Sequence, residues 1–289
     1  MPTPITIQPA AAIDHRLLNN LMSASAQVHT HLDWQPPQAW LGVPPFHFAM
    51  MGNAPVGALA AAPDPPDSAW IRIAVAADTP HATPDAILDS LWDATLGALR
   101  GLNVGRASAM LVHHWLTPHL QRWQFQLVSD VVVLNRPNPA RRSSGGPALP
   151  LAPAVRVHPA HRADLAALTV IDSAAFASPW QYSPAVVSQA LDSATYATVA
   201  EAHGRLVGYQ ISTGGRTGGH LARLAVHPQW QGRGVGRALV ADLVGHFDRK
   251  DTPGVTVNTQ RDNAASLAVY QSLGFVVTDE HYPVWSRAV

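Results

Sequence analysis

The sequence predicts an α/β protein, a mixed β-sheet flanked by helices, built twice in one chain. Three observations carry this. Apolar runs of strand length alternate with runs of helical spacing. A stretch rich in Pro, Gly and Ser, from Arg136 to Pro153, separates halves of similar length. The halves also match one another at a common offset of about 150 residues.

In the first half, Phe46 to Gly57 reads as strand, turn, strand, and matches Ala197 to Gly208. Ile71-Arg72-Ile73-Ala74-Val75 matches Ala222-Arg223-Leu224-Ala225-Val226, and Trp123-Gln124-Phe125 matches Leu273-Gly274-Phe275. Shared spacing over three segments predicts two copies of one module: residues 1–135, a linker at 136–153, and residues 154–289.

The second copy can be justified element by element. Val155 to Val157 opens a strand. Leu165, Leu168, Ile171 and Ala175 lie on one helical face within Ala163–Phe176. Ser178 to Pro184 is a proline-ordered loop, and Pro184 suits the first turn of a helix running to Leu191. Tyr196–Ala200 and Leu206–Ser212 form a hairpin, and Leu221–Val226 is the central strand. A helix is expected over Arg237–Phe247, a strand over Val255–Asn258, and a helix over Ala264–Leu273 with Asn263 as its N-cap. Gly274 ends that helix, and two short strands near Val276 and Val284 finish the chain.

The segment between the central strand and its helix, Gln231-Gly232-Arg233-Gly234-Val235-Gly236-Arg237, carries the first chemical signal. Closely spaced glycines let backbone N–H groups turn inward, and a helix start adds unpaired donors and a positive dipole end. Together these suit a pyrophosphate. A P-loop requires Lys and then Ser or Thr after its last glycine, but Arg237 and Ala238 follow Gly236. A dinucleotide fingerprint requires a further glycine where Leu239 stands.

The pattern Gln-x-x-Gly-x-Gly, from Gln231 to Gly236, resembles the acyl-coenzyme A loop of the GNAT superfamily of N-acetyltransferases. A second segment, carried by Asn263, Ser266, Val269, Tyr270, Gly274 and Phe275, resembles that family's Asn-x-x-Ala-x-x-Leu-Tyr-x-x-x-Gly-Phe signature, with Ser and Val at two variant positions. The resemblance covers residues 154–289. It implies tandem GNAT modules that use acetyl-coenzyme A. The cofactor would lie on the backbone of Leu224, Ala225 and Val226, on the loop Gln231–Arg237 and near Asn263. It also implies Tyr270 as the acid that protonates the departing thiolate.

Transfer to an amine further requires a base, because an alkylamine near neutral pH is mostly protonated. Where many relatives carry Glu, this chain has His220, whose ordinary pKa suits the task. Glu201 on the neighbouring strand is a second candidate, and a water chain ending on backbone carbonyls is a third. The acceptor stays open between a small amine and a peptide or protein N-terminus. Phe176-Ala177-Ser178-Pro179-Trp180 resembles the loop bordering the peptide groove in ribosomal-protein alanine acetyltransferases. The alternative function is a noncatalytic acyl-coenzyme A-binding or sensing protein.

The first copy departs where the chemistry belongs. Ala76 to Leu88 contains no glycine, and Pro80 and Pro84 lack N–H donors. Trp115 to Trp123 occupies the place of the Asn…Tyr helix without a tyrosine. Residues 1–135 are therefore read as a degenerate module that lost its cofactor, with a role in packing or in shaping the acceptor pocket.

Composition narrows the function classes. The formal net charge is zero and 13% of residues are charged, which argues against nonspecific nucleic-acid binding. No cysteine is present, so disulfides and thiolate chemistry are excluded. Fifteen histidines include His29 with His31, and His113 and His114 with His119, but no spacing typical of a zinc site. Neither a signal-peptide layout at the start nor a run of membrane-spanning length is seen. The expectation is a cytoplasmic monomer or homodimer, without metal or membrane.

Overall fold

The computed structural model describes residues 4–138, 155–216 and 218–289. They divide into two units: the chain up to Ser129 together with Tyr282–Val289, and Asp130–His281.

The first unit contains β1 (Ile5–Pro9), α1 (His15–Ala24), β2 (Val28–Thr30), β3 (Phe46–Met51), β4 (Ala54–Ala60), β5 (Ser68–Trp70), β6 (Ile73–Ala76), α2 (Pro84–Gly101), β7 (Arg106–Met110) and α3 (Thr117–Arg122). One sheet has the order β1-β3-β4-β6-β2. Period-two alternation gives it two apolar faces. Phe46, Phe48, Ala58, Ala60, Ile73 and Val75 pack with Leu18 and Leu21 of α1. Ala49, Leu59 and Ala74 belong to the cluster of Ile87, Leu88, Leu91 and Trp92 from α2. Each fully buried leucine here contributes on the order of 2 kcal/mol. α2 starts as its sequence dictates, with Pro84 in the first turn and Thr83 Oγ1 accepting the Ala86 N–H at 3.3 Å.

Strand β8 (Gln126–Pro137) begins in the first unit and ends in the second. There follow β9 (Arg156–Pro159), α4 (Leu165–Ala175), α5 (Pro184–Asp192), β10 (Tyr196–Ala202), β11 (Arg205–Gly215), β12 (Gly218–Val226), α6 (Val235–Arg249), β13 (Gly254–Gln260), α7 (Ala264–Ser272) and β14 (Val276–Ala288). In the second unit the order from β8 is β8-β13-β12-β11-β10-β9. Only β12 and β13 run parallel there; β8 is antiparallel to β13, and β9 to β12 form an antiparallel run. Leu221, Val255 and Val257 pack under Val240, Leu243, Val244 and Phe247 of α6, with Tyr270 and Phe275 in the same cluster. α4 covers the other face of the sheet.

The mixed sheets and their helices match the expected fold class, and one glycine pair records the duplication. A Cβ on Gly57 of β4 would clash with Ile87 of α2, and one on Gly208 of β11 would lie 3.1 Å from Val235 of α6. In both copies a strand glycine lets the helix after the central strand sit close to the hairpin.

Several boundaries differ from expectation. The linker was placed from Arg136, but Arg136 and Pro137 end β8 and pair with Val255 and Gly254. Arg136 is held there by a hydrogen bond to the Leu273 carbonyl (2.9 Å) and a two-armed pair with Asp248 (3.0 and 3.1 Å). The rest of the linker, 139–153, lies outside the described residues. The two final strands are one, β14. Its Pro283 contributes a carbonyl to the Leu111 N–H (3.0 Å), so its missing donor does not break the strand. Residues 71–75, matched above to Ala222–Val226, are not one strand: β5 ends at Trp70 and β6 starts at Ile73. Finally, α6 begins at Val235, not Arg237, so Gly236 lies inside its first turn.

Among the described residues no helix is long and apolar enough to cross a membrane.

Candidate active site

The site begins with a parting of two strands. β12 and β13 are paired only at Gly219–Val255, His220–Thr256 and Leu221–Val257. Beyond that point β12 continues to Val226 along β11, and β13 continues to Gln260 along β8. Each strand thus keeps one paired edge and presents the other to a wedge between them. A β-bulge sits at the same level: Ile211 faces Arg223 and Ser212 faces Leu221, so Ala222 is the extra residue.

Backbone alternation shows which groups line the wedge. The His227 N–H donates to the Val207 carbonyl at 2.9 Å, so His227, Ala225 and Arg223 face β11. The N–H and C=O groups of Leu224 and Val226 therefore face the wedge. The Val226 carbonyl fits this, accepting the Gln231 side-chain amide at 3.0 Å. Of the three residues expected to hold the acyl arm, Leu224 and Val226 are so turned. Ala225 is not, because its backbone belongs to the ladder with Tyr209.

The glycine loop closes the end of the wedge. Pro228–Trp230 form one 3-10 turn, then Gly232 and Gly234 take φ of 72° and 81°. Gly234 is the N-cap of α6 in the left-handed region, which any side chain strains. No side chain caps this helix, and the first intrahelical bond is Ala238 N–H to the Gly234 carbonyl, 2.9 Å. The N–H groups of Val235 and Gly236 therefore precede the helical ladder. Arg233 reaches back over the Trp230 ring at 5.1 Å. The loop thus offers donors and a dipole where an anion can be received.

Tyr270 is the one buried residue of α7, 4% exposed and 5.8 Å from the Phe275 ring. Burial raises its hydroxyl pKa far above the ordinary phenol value, against a smaller opposing effect of a hydrogen bond from Ser266. The phenol therefore stays protonated near pH 7. Asn263 is the N-cap of α7; its Oδ1 accepts the Ser266 N–H at 3.1 Å, so that oxygen shapes the helix start.

His220 lies at the closed end of the wedge. Its Nδ1 is 2.9 Å from Thr256 Oγ1, and that hydroxyl donates to the Gly219 carbonyl at 3.4 Å. In the tautomer whose Nδ1–H donates to that hydroxyl, Nε2 is the basic nitrogen. Burial lowers the His220 pKa, which keeps the ring neutral near pH 7. Glu201 does not join the site. It lies on β10, two strands from β12, bonded to Arg156 (2.6 Å) and His158 (3.2 Å). The hydrogen bond from Arg156, foremost, lowers its pKa, making it a poorer base.

Sequence reasoning missed a buried cluster beside the bulge. Arg223 makes two 2.8 Å bonds to the Asp172 carboxylate and a third to the Trp180 carbonyl. Its guanidinium lies between the Phe176 and Tyr182 rings, at 3.6 and 3.7 Å. Tyr209 donates its hydroxyl to Asp172, which also accepts the Tyr182 N–H at 2.9 Å. Asp172 is fully buried. The cluster fastens the loop 176–182 to the central strand. A polar Asp172 inside the apolar pattern Leu168–Ile171–Ala175 was the available signal.

Comparison with known proteins bears on the family and the fold. The family described as Acetyltransferase (GNAT) domain matches residues 167–284. A bS18-alanine N-acetyltransferase of Escherichia coli K12 is 27% identical over 123 residues, 42% of this chain and 82% of that protein. A mycothiol acetyltransferase of Nocardiopsis dassonvillei is 37% identical over 67 residues, covering 23% of this chain and only 20% of that protein. In fold, a tandem GNAT protein from the clavulanic acid biosynthesis pathway aligns over 99% of this chain and 98% of its own, at TM-score 0.64 and 17% identity. Residues 167–284 thus match a GNAT acetyltransferase domain, the named relatives of that stretch are acetyltransferases, and the whole chain shares the two-module fold of a tandem GNAT protein.

Proposed function

We propose that the second unit transfers an acetyl group from acetyl-coenzyme A to a primary amine, by direct attack within a ternary complex. One observation carries this: the wedge opening past Leu221 and Val257 runs directly into the uncapped start of α6. GNAT enzymes use acetyl-coenzyme A. Its pantetheine is an extended amide chain that suits an unpaired strand edge, and its pyrophosphate suits the loop.

The thioester supplies the acetyl group and a thiolate leaving group. Leu224 and Val226 N–H groups hold the arm, and backbone donors at the bulge stabilise the oxyanion. His220 Nε2 takes the proton the amine loses on attack. The Tyr270 hydroxyl donates to the departing sulfur. Val235 and Gly236 N–H groups, with Arg233 nearby, receive the diphosphate. The first unit serves as a degenerate copy, and the enzyme works in the cytoplasm as a monomer or homodimer without metal.

The loop 176–182 borders the acceptor side. Relatives are named for a ribosomal-protein alanine and for mycothiol, so both a peptide N-terminus and a small molecule belong in the trial set. The test is thiol release from acetyl-coenzyme A with peptides of free N-terminal alanine and with small primary amines, alongside calorimetry with coenzyme A. Turnover on one class supports transfer. Binding without turnover on any amine would mark a sensor, and no binding would defeat both readings.

A further inference from the structure

The two copies treat the same strand edge in opposite ways. In the first unit the central strand is also bulged and also parts from its parallel neighbour. β5 pairs with β7 at Ser68–Arg106, Ala69–Ala107 and Trp70–Ser108, and Ile71 N–H still reaches the Ser108 carbonyl at 2.8 Å. Then the Arg72 N–H turns to the Ala60 carbonyl at 2.7 Å, although Ala60 is registered opposite Ile73. Two residues thus face one, as at Ala222 in the second unit. From Ile73 on, the strand follows β4 as β6 and leaves β7.

Its far edge is not open. β2 lies antiparallel on it, with Thr30 opposite Ile73, His29 opposite Ala74 and Val28 opposite Val75, and the His31 N–H reaches the Arg72 carbonyl at 2.9 Å. The Arg72 carbonyl and, by alternation, the N–H and carbonyl of Ala74 face β2, as the polar groups of Leu224 and Val226 face the wedge. Side chains secure the strand. His29 is 3% exposed, with Nε2 3.1 Å from the Ile71 carbonyl. His31 stacks on Trp70 at 4.8 Å, and Arg72, buried over the Trp40 ring at 4.2 Å, pairs with buried Asp33 just past β2. The loop end is closed as well: Thr83 caps α2 and Pro84 lacks an N–H, whereas α6 has neither feature.

We propose that β2 is a built-in substitute for an acyl-coenzyme A arm: residues 28–30 fill the first module's cofactor wedge, and this module is closed to acyl-coenzyme A. The comparison with an arm rests on the function proposed for the second unit. The seating of β2 does not.

Hydrogen–deuterium exchange on the full chain, with and without acetyl-coenzyme A, tests it, with native mass spectrometry for stoichiometry. Amides of 72–76 should be slow in the free protein and unchanged on adding acetyl-coenzyme A. Amides of 222–226 should slow tenfold or more when it is added, with one molecule bound per chain. The substitution His29→Pro removes a donor of β2 and should speed exchange at 72–76 at least tenfold. Fast exchange at 72–76 in the unmodified chain, or a second bound molecule, overturns the proposal. If 222–226 never respond while 72–76 stay slow, the function of the second unit is refuted and the filled wedge stands.

Discussion

Leu221 and Val257 are the last residues at which the central strand and its parallel neighbour remain paired, and the bulged Ala222 follows at once. Parting and bulge at one level free a short strand edge without disturbing the sheet on either side. Proline substitutions along that edge should separate binding from stability. Leu224→Pro removes an N–H that faces the wedge, while Ala225→Pro removes one in the ladder with Tyr209. Leu224→Pro is expected to weaken acetyl-coenzyme A binding tenfold or more with the smaller fall in Tm. Ala225→Pro is expected to unfold the second unit first. Calorimetric titration and thermal melts read the two effects, and equal Tm losses would contradict the assigned facing.

The left-handed Gly234 sets a second expectation. Gly234→Ala costs about 1 kcal/mol of backbone strain at φ of 81°. Gly234→Asp adds a negative charge where the diphosphate is to be received. The aspartate variant should lose far more coenzyme A affinity than the alanine variant at similar Tm. Matching dissociation constants for the two would show that charge at this turn is irrelevant.

For His220 the sign follows from burial. Its pKa is lowered from 6.5, so the neutral ring persists to pH values below that figure. If Nε2 is the base, kcat/KM should be level near pH 7 and decline on the acid side below 6.5. His220→Gln should abolish that acid limb together with most of the rate. A limb that survives the substitution assigns the proton transfer elsewhere. Tyr270→Phe should lower kcat about tenfold or more at nearly constant KM for acetyl-coenzyme A; unchanged kcat would leave Tyr270 a packing residue.

Asp172 and Arg223 are both buried, so removing one strands the other. Arg223→Met or Asp172→Ala should each cost about 3–5 kcal/mol, and the double variant should cost less than the sum. Chemical denaturation measures this. Additive losses would mean that the pair is not coupled.

Acid should loosen β2. Burial lowers the His29 pKa from 6.5 to about 4, with His113 adding repulsion, and His31, next to Arg72, is lowered as well. The unfolded chain binds these protons first, so stability declines as pH falls through 6.5 towards 4. His29 alone accounts for about 3 kcal/mol at most. His29→Gln should flatten the Tm of the first unit over that range; an unchanged slope would exclude His29 as its source.

Much of this was legible from local pattern. The glycine loop, the N-cap Asn263 and the hairpins follow from turn and capping chemistry that neighbouring residues fix. What stayed hidden depends on distant pairing. Glu201 lies on the strand after β9, and only that pairing reveals Arg156 and His158 as its partners. Ala225 differs from its neighbours solely through which edge its N–H faces. Val28–Thr30 is too short to read as a strand until β6 presents an edge for it. Asp172 became intelligible once Arg223, far along the chain, came to lie beside it.

The chain also crosses between its units twice: β8 starts in one and finishes in the other, and β14 returns so that Tyr282–Val289 belong to the first. Cut between the copies, each fragment would keep a strand that belongs to the other half and lack one of its own. Gene halves expressed separately should give insoluble products that recover only when synthesised together. Because each copy contributes a strand segment to the other, neither is expected to fold on its own, and loss of one should cost the stability of both.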